Sequence, residues 1–428
     1  MKSTRFTLIP AVAMSLALAI PAPLMAQANA LQVYSNRVLY TFTGQADGAN
    51  PYAGVIADDA GNIYGTAAKG GDLACVEGYG YGCGVVFKID SAGQYTVLHA
   101  FRGGTDGALI DGYSSEGVVR DNDGNLYGTA FYGGDPNCGC GVVYKIDPQG
   151  NYSVIHMFTG PDGYNPDQTL LLSRDGNLYG TTFQGGTNEC GGYGCGVVFK
   201  MDLQGNETLL YSFRETGGDG NFPGSPGPLA QDHDGNLYGN TGGGGTFGQG
   251  VVFKIDPLSQ DHRETVLYAF TGGTDGAIPG AVVLDDAGNV YGPTVFGGVN
   301  GVGVVFKLDP MRQLTVLHDF TGGADGGYPN PPIRDAQGNL YGTTGAASDP
   351  KAHYGGIFKI YPGGHLTVLY NFQNTDGAFP YAGVFRDRHG NLYGTTNIGG
   401  DLNACSFGPG CGVVFKLSAC TTALCRGQ

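Results

Sequence analysis

Three sets of side chains in this sequence have the type and spacing to do chemistry. Tyr64, Tyr127, Tyr179, Tyr238, Tyr291, Tyr341 and Tyr393 each sit inside Gly-Asn-x-Tyr-Gly, where x is Leu, Ile or Val. Their rings would offer stacking faces to sugars. Asp47, Asp106, Asp162, Asp219, Asp275, Asp325 and Asp376 each precede a glycine. Carboxylates suit Ca2+, provided six to eight oxygens converge on one point. Glu116, Asp167, Gln168 and Asn330 form the third set, because they depart from the pattern that the rest of the chain repeats.

Repetition decides between these sets. A residue identical in every copy of a repeat packs one copy on the next, so the seven tyrosines belong to the scaffold. One carboxylate per copy is spread around a circumference rather than gathered, so the seven aspartates read as turn caps. Specific binding belongs where copies differ, which makes Glu116, Asp167, Gln168 and Asn330 the candidate binding residues. No Gly-x-Ser-x-Gly elbow, phosphate loop or zincin motif is present, so no catalytic residue is assigned. The eight histidines fall mostly at strand or turn positions and read as packed or exposed side chains.

The elements that must position these residues recur with them. Gly-Asn-x-Tyr-Gly starts at 61, 124, 176, 235, 288, 338 and 390. Gly-Val-Val-Phe-Lys and its variants follow each copy, and Thr-Val-Leu-Tyr-x-Phe and its variants close each unit. A short apolar run, such as Gly54-Val55-Ile56 or Ala281-Val282-Val283, precedes each Gly-Asn. All four segments are β-branched or aromatic runs bounded by turn residues. They are called strands A (the apolar run), B (Gly-Asn-x-Tyr-Gly), C (Gly-Val-Val-Phe-Lys) and D (Thr-Val-Leu-Tyr-x-Phe). Short A–B and C–D links make each unit an antiparallel meander.

The expected fold is therefore all-β, a seven-bladed β-propeller of four-stranded antiparallel blades. The chain enters on a D-type strand, Val38 to Phe42, and its last unit ends on a C-type strand, Gly412 to Lys416. The N-terminal strand would thus complete the final blade and close the ring. The A strands would line the central channel, with Glu116, Asp167, Gln168 and Asn330 as the polar departures on them. The long B–C loops and the D–A crossovers would share one rim, the expected binding face.

Residues 1–30 read as a secretory signal peptide, with Lys2 and Arg5, the apolar run Phe6 to Ile20, and small residues around Ala26, Ala28 and Ala30. The propeller is expected over 31–417, followed by a tail at 418–428. No second apolar run is long enough to span a membrane. Ten cysteines in an exported chain suggest local disulfides: Cys75 with Cys83, Cys138 with Cys140, Cys190 with Cys195, Cys405 with Cys411, and Cys420 with Cys425. Cys138 and Cys140 are one residue apart, a spacing at which bridge geometry is hard to reach, so that pair stays open. A net charge of −15 with no basic stretch argues against nucleic acid as a partner.

The run Phe-Thr-Gly-Gly-x-Asp-Gly, then Asp-x-x-Gly-Asn-Leu-Tyr-Gly-Thr-Thr, then Cys-Gly-Val-Val-Phe-Lys resembles the bacterial GloVer extracellular tandem repeat, over about residues 38–417. The resemblance implies an exported repeat protein, secreted, periplasmic or held at the bacterial cell surface, with no established activity. Some members carry a C-terminal anchor, which is not evident between Cys420 and Gln428. The Asp-x-x-Gly-Asn-Leu-Tyr element is also similar to blades of NHL and gluconolactonase-like propellers. The latter hold a metal in the channel through acidic and amide side chains, a role that Glu116, Asp167 and Asn330 match in type. The expectation is a monomeric binding or scaffold module for carbohydrate or protein, without a cofactor. The alternative is a hydrolase or lyase with Ca2+ or another divalent metal in the channel.

Overall fold

The computed structural model describes residues 33–75, 80–109, 117–216, 218–224, 227–259, 262–346, 354–406 and 408–420. These form seven four-stranded antiparallel blades in one ring. In the first blade the order is A (Ile56–Ala57), B (Ile63–Ala67), C (Val85–Ile89) and D (Tyr95–Ala100). The order recurs through the sixth blade, whose D strand is Leu366–Asn371. The seventh sheet holds Phe385–Arg386, Leu392–Thr396 and Val413–Cys420, and its outer place is filled by Val33–Thr41. That pairing runs from Val33 opposite Cys420 to Thr41 opposite Val413. Both closing strands are longer than the sequence suggested, because each extension supplies the other's partner.

The repeated motif has a separate reason for each residue. In the sixth copy, Gly338 has φ +82, a turn conformation that a side chain would strain. At Gly342, a Cβ would lie 2.5 Å from Cζ of Phe358 on the C strand, so only glycine leaves room for that ring. Between these, Tyr341 donates its hydroxyl to Asp335 (3.1 Å), the aspartate that opens the A–B turn. Asp335 also accepts from the backbone (2.8 Å) and the amide (2.8 Å) of Asn339. All seven tyrosines bond a turn aspartate in this way, at 2.9–3.1 Å. In the third blade, Ser173 stands where the others have aspartate, and Asp175 takes the tyrosine hydroxyl instead. The lysine ending each C motif lies over the same ring, with Nζ 5.2–5.9 Å from its centroid.

The core lies between blades. Each tyrosine packs into the next blade's cluster, as Tyr341 does with Val384, Leu392 and Phe415 and Tyr238 with Val282, Val290 and Phe306. The D-strand phenylalanine meets the next blade's C-strand ring edge to face at 5.1–5.5 Å, seven times round, and Phe42 on Phe87 closes the circle.

Candidate binding face and central channel

Each D–A crossover pairs with the start of its own blade's B–C loop or an extension of its B strand, as Ala49 does with Lys69 and Ala277 with Phe296. Crossovers and B–C loops therefore share one face. At six crossovers a residue before proline has positive φ, between 50 and 57: Asn50, Asn165, Phe222, Ile278, Tyr328 and Phe379. The seventh equivalent is Leu109, which is buried, precedes Ile110 instead of a proline, and donates its N–H to the Cys83 carbonyl (3.0 Å). The positive φ costs a bulky residue about 1–2 kcal/mol, so other contacts must hold it. Two do. The backbone N–H donates to the carbonyl just before the previous blade's C-strand glycine, as Phe222 does to Cys195 (2.8 Å) and Tyr328 to Val302 (2.7 Å). The following proline covers that glycine, so a Cβ on Gly196 would come within 2.5 Å of Pro223 Cδ.

The same carbonyls explain the cysteines. Cys75–Cys83, Cys138–Cys140, Cys190–Cys195 and Cys405–Cys411 are bonded, each stapling a B–C loop to the start of its C strand. The open pair Cys138–Cys140 is thus bridged. Cys425, the expected partner of Cys420, lies outside the described residues.

What this face displays changes from blade to blade. Asn50 and Asn165 turn inward and donate to the carbonyls of Asn397 and Phe131, both at 2.9 Å. Phe222, Ile278, Tyr328 and Phe379 stay half-buried. Phe183 lies 5.2 Å from Phe222, and Phe296, 45% exposed, lies 5.7 Å from Tyr328. Tyr381, 40% exposed, stacks on Tyr52 at 5.5 Å. The B–C loops add Tyr193 at 70% and Phe247 at 55% exposure.

Of the four candidate residues, Glu116 lies outside the described residues. The other three sit in the crossovers that lead to the A strands, not on those strands. Asp167 and Gln168 share the crossover into the third blade, and Asn330 lies on the crossover into the sixth. Gln168 is buried, and its backbone carbonyl accepts from the Thr129 hydroxyl (3.1 Å). The Asn330 amide donates to the Pro380 carbonyl (2.7 Å) and the Thr343 hydroxyl (2.9 Å). The Asp167 carboxylate lies against the backbone of Gly224, where a Cβ would come within 2.2 Å of Oδ2. Among the described residues, no group of three or more His, Cys, Asp or Glu could hold a metal ion.

The A strands and the residues leading into them, drawn from all seven blades, line a central cavity of about 390 Å3, with Val55, Val118, Leu229, Val282, Ile333 and Val384 in its wall. Among the described lining residues, the only side-chain heteroatom is the Thr169 hydroxyl, which accepts from the Gly117 N–H (3.0 Å).

On the outer rim, each crossover aspartate bonds the Tyr or His two residues before its D-strand phenylalanine, a pairing that sequence reasoning missed. Six of these contacts measure 2.9–3.2 Å, and Tyr370 with Asp376 is the seventh. The next blade's D strand covers the pair. Tyr95 stacks on Tyr40 at 3.8 Å, and Tyr152 on His99 at 3.6 Å. At the following two interfaces the covering residue is Glu207 or Glu264. Burial, more than Asp162 beside it, lifts the Glu207 carboxyl to about 7, against a counteracting pull from His156. Burial and then Asp219 raise that of Glu264. Tyr211 and Arg214 line the same hollow. A carboxyl raised on folding contributes stability below its unfolded pKa and loses it as pH rises through the folded value. The melting temperature is therefore expected to fall between about pH 5 and 8, and to fall less in Glu207→Gln with Glu264→Gln, as differential scanning fluorimetry would read. An unchanged slope in that variant would contradict the assignment.

No helix among the described residues is long and apolar enough to cross a membrane. No curated protein matches the chain. Among solved structures, the extracellular domain of a hybrid two-component system from B. thetaiotaomicron is similar at 14% identity and TM-score 0.51, over 90% of this chain and 41% of that one. This chain thus spans about two-fifths of that protein's length, and the likeness is one of fold. A gluconolactonase from Xanthomonas campestris matches at 15% identity and TM-score 0.41, over 72% of this chain and 86% of its own. Regucalcin from Agrobacterium tumefaciens, a calcium-binding protein, matches at 15% identity and TM-score 0.40, over 75% and 89%. A family model for the Gloeobacter/Verrucomicrobia repeat matches residues 73–294 and 261–424, most of the ring, and the chain belongs to that repeat family.

Proposed function

We propose that the chain is an exported bacterial binding module that holds a carbohydrate or protein ligand on its crossover face. One observation carries this reading. The aromatic side chains that the repeat does not require, Phe296, Tyr381, Tyr193 and Phe247, are exposed on that face. Large, stiff rings give contact area at little entropic cost, which is why they dominate recognition surfaces. Four disulfides fit folding in an oxidising compartment outside the cytoplasm. Asp167, Gln168 and Asn330, which lie in the crossovers of that face, would border the ligand, with Glu116 a further candidate from the sequence alone. The hydrolase or lyase alternative needs ionisable groups converging in the channel, and its described walls carry none. The test is an array of glycans and proteins probed with the mature chain. Saturable retention of a chemically related set supports the reading, and no retention at micromolar concentration overturns it.

A further inference from the structure

We infer that the central channel is a binding site for a small apolar molecule, separate from the ligand of the crossover face. Seven wedge-shaped blades leave an axial hole by geometry, and small barrels fill such interiors with side chains. Here the hole is left open. Gly54, Gly117, Gly227, Gly383, Ala281 and Ala382 line it, although larger residues would pack it. At Gly117 and Gly383 the reason is local. A Cβ would come within 2.6 Å of Thr169 Oγ1 and 2.3 Å of the Pro331 carbonyl, respectively. Gly54 has no such reason. Among the described residues, a Cβ there meets nothing closer than the Gly383 carbonyl at 3.5 Å, with Ala382 Cβ at 3.8 Å, both on the neighbouring seventh blade. Gly54 has no positive φ either. The first blade thus leaves space that a side chain could occupy without strain.

The wall chemistry selects the occupant. Valine, isoleucine, leucine and proline side chains surround a volume of about 390 Å3, and the one side-chain hydroxyl among the described lining residues, that of Thr169, already accepts a backbone N–H. That volume falls within the span of small-molecule pockets, roughly 300–1,000 Å3. It exceeds the roughly 150 Å3 apolar cavity known to hold benzene. Among the described lining residues, ions and sugars would find no charged or amide side chain to replace their hydration, whereas a hydrocarbon or fused aromatic ring would lose only its contact with water.

The test uses the neutral fluorophore N-phenyl-1-naphthylamine with the full mature protein. The expected result is saturable one-to-one binding with a blue-shifted emission. Gly54→Ala, Gly54→Val and Gly54→Leu should weaken it in order of side-chain volume, at least tenfold for leucine, with melting temperatures close to the parent. Because the smaller substitutions make modest demands on packing, the series stays informative if the leucine variant fails to fold. Phe296→Ala with Tyr381→Ala should leave the fluorophore affinity unchanged. No saturable binding, or affinity that follows the aromatic face and ignores position 54, would overturn the assignment. Either outcome leaves the array experiment on the crossover face undisturbed, so the two readings fail separately.

Discussion

Removal of residues 33–42 is expected to abolish cooperative folding of the ring. The segment supplies the outer strand of the seventh blade, paired along its length with Val413–Cys420. It also carries Phe42, fully buried against Phe87, and Tyr40, stacked on Tyr95. Losing one buried phenylalanine side chain alone costs about 3–5 kcal/mol. Losing the strand as well exceeds the roughly 5–15 kcal/mol by which a typical domain is stable. The shortened chain also presents a bare sheet edge, which invites association. Size-exclusion chromatography should show aggregates, and far-UV circular dichroism no sharp melt. A synthetic peptide of residues 33–42 should restore monomer and melt by adding the strand in trans. A shortened chain that melts as sharply and as high as the parent would contradict closure by this strand.

Asp335→Ala is expected to cost about 3–5 kcal/mol, the largest single-residue effect among the turn positions. Asp335 is only 9% exposed. It accepts from the backbone of Gln337 and Asn339, the Asn339 amide and the Tyr341 hydroxyl. Alanine would leave these donors without an acceptor, those of Asn339 and Tyr341 among buried residues, and an unsatisfied donor costs more than the bond contributed. Tyr341→Phe removes one donor and should cost about 1 kcal/mol, which separates the network from ring packing. Burial alone would raise the Asp335 carboxyl, but bonds from Asn339, Tyr341 and the backbone outweigh it and lower it. The other six turn aspartates that take the tyrosine hydroxyl are lowered likewise, Asp175 to about 2. A lowered carboxyl contributes stability above its unfolded pKa and loses it as pH falls through the folded value. The ring should therefore lose stability steeply below about pH 4, and urea midpoints of parent and Asp335→Ala should converge as the pH approaches 2.

The ring itself was legible because its signals are local and repeated. The spacing of Gly-Asn-x-Tyr-Gly counts the blades, and the unmatched strands at the two ends predict their pairing. The bond from each A–B turn aspartate to the tyrosine hydroxyl two residues beyond Asn is not legible in the sequence, since it depends on how the B strand folds back over the turn. In the third blade Ser173 opens the turn, and Asp175 takes the tyrosine hydroxyl. The positive φ of Phe222, Ile278, Tyr328 and Phe379 runs against local preference, because a residue before proline favours extended backbone. It is imposed by a hydrogen bond to the previous blade, which lies far away in sequence. Asn330 stood out as a polar departure, yet its amide is spent on the backbone of the next crossover. The aromatic face was hidden for the converse reason. Phe296, Tyr381 and Phe247 follow no pattern, and a pattern was what the sequence made visible.

The central claim is that repeated residues hold the ring while unrepeated residues on one face bind. The most direct test compares isothermal titration of one array-selected ligand into Phe296→Ala with Tyr381→Ala, and into Tyr341→Phe. The account predicts at least a tenfold loss of affinity, about 1.4 kcal/mol, in the first protein and parental affinity in the second. Parental affinity in the first, or a tenfold loss in the second while its ring remains folded, would contradict it.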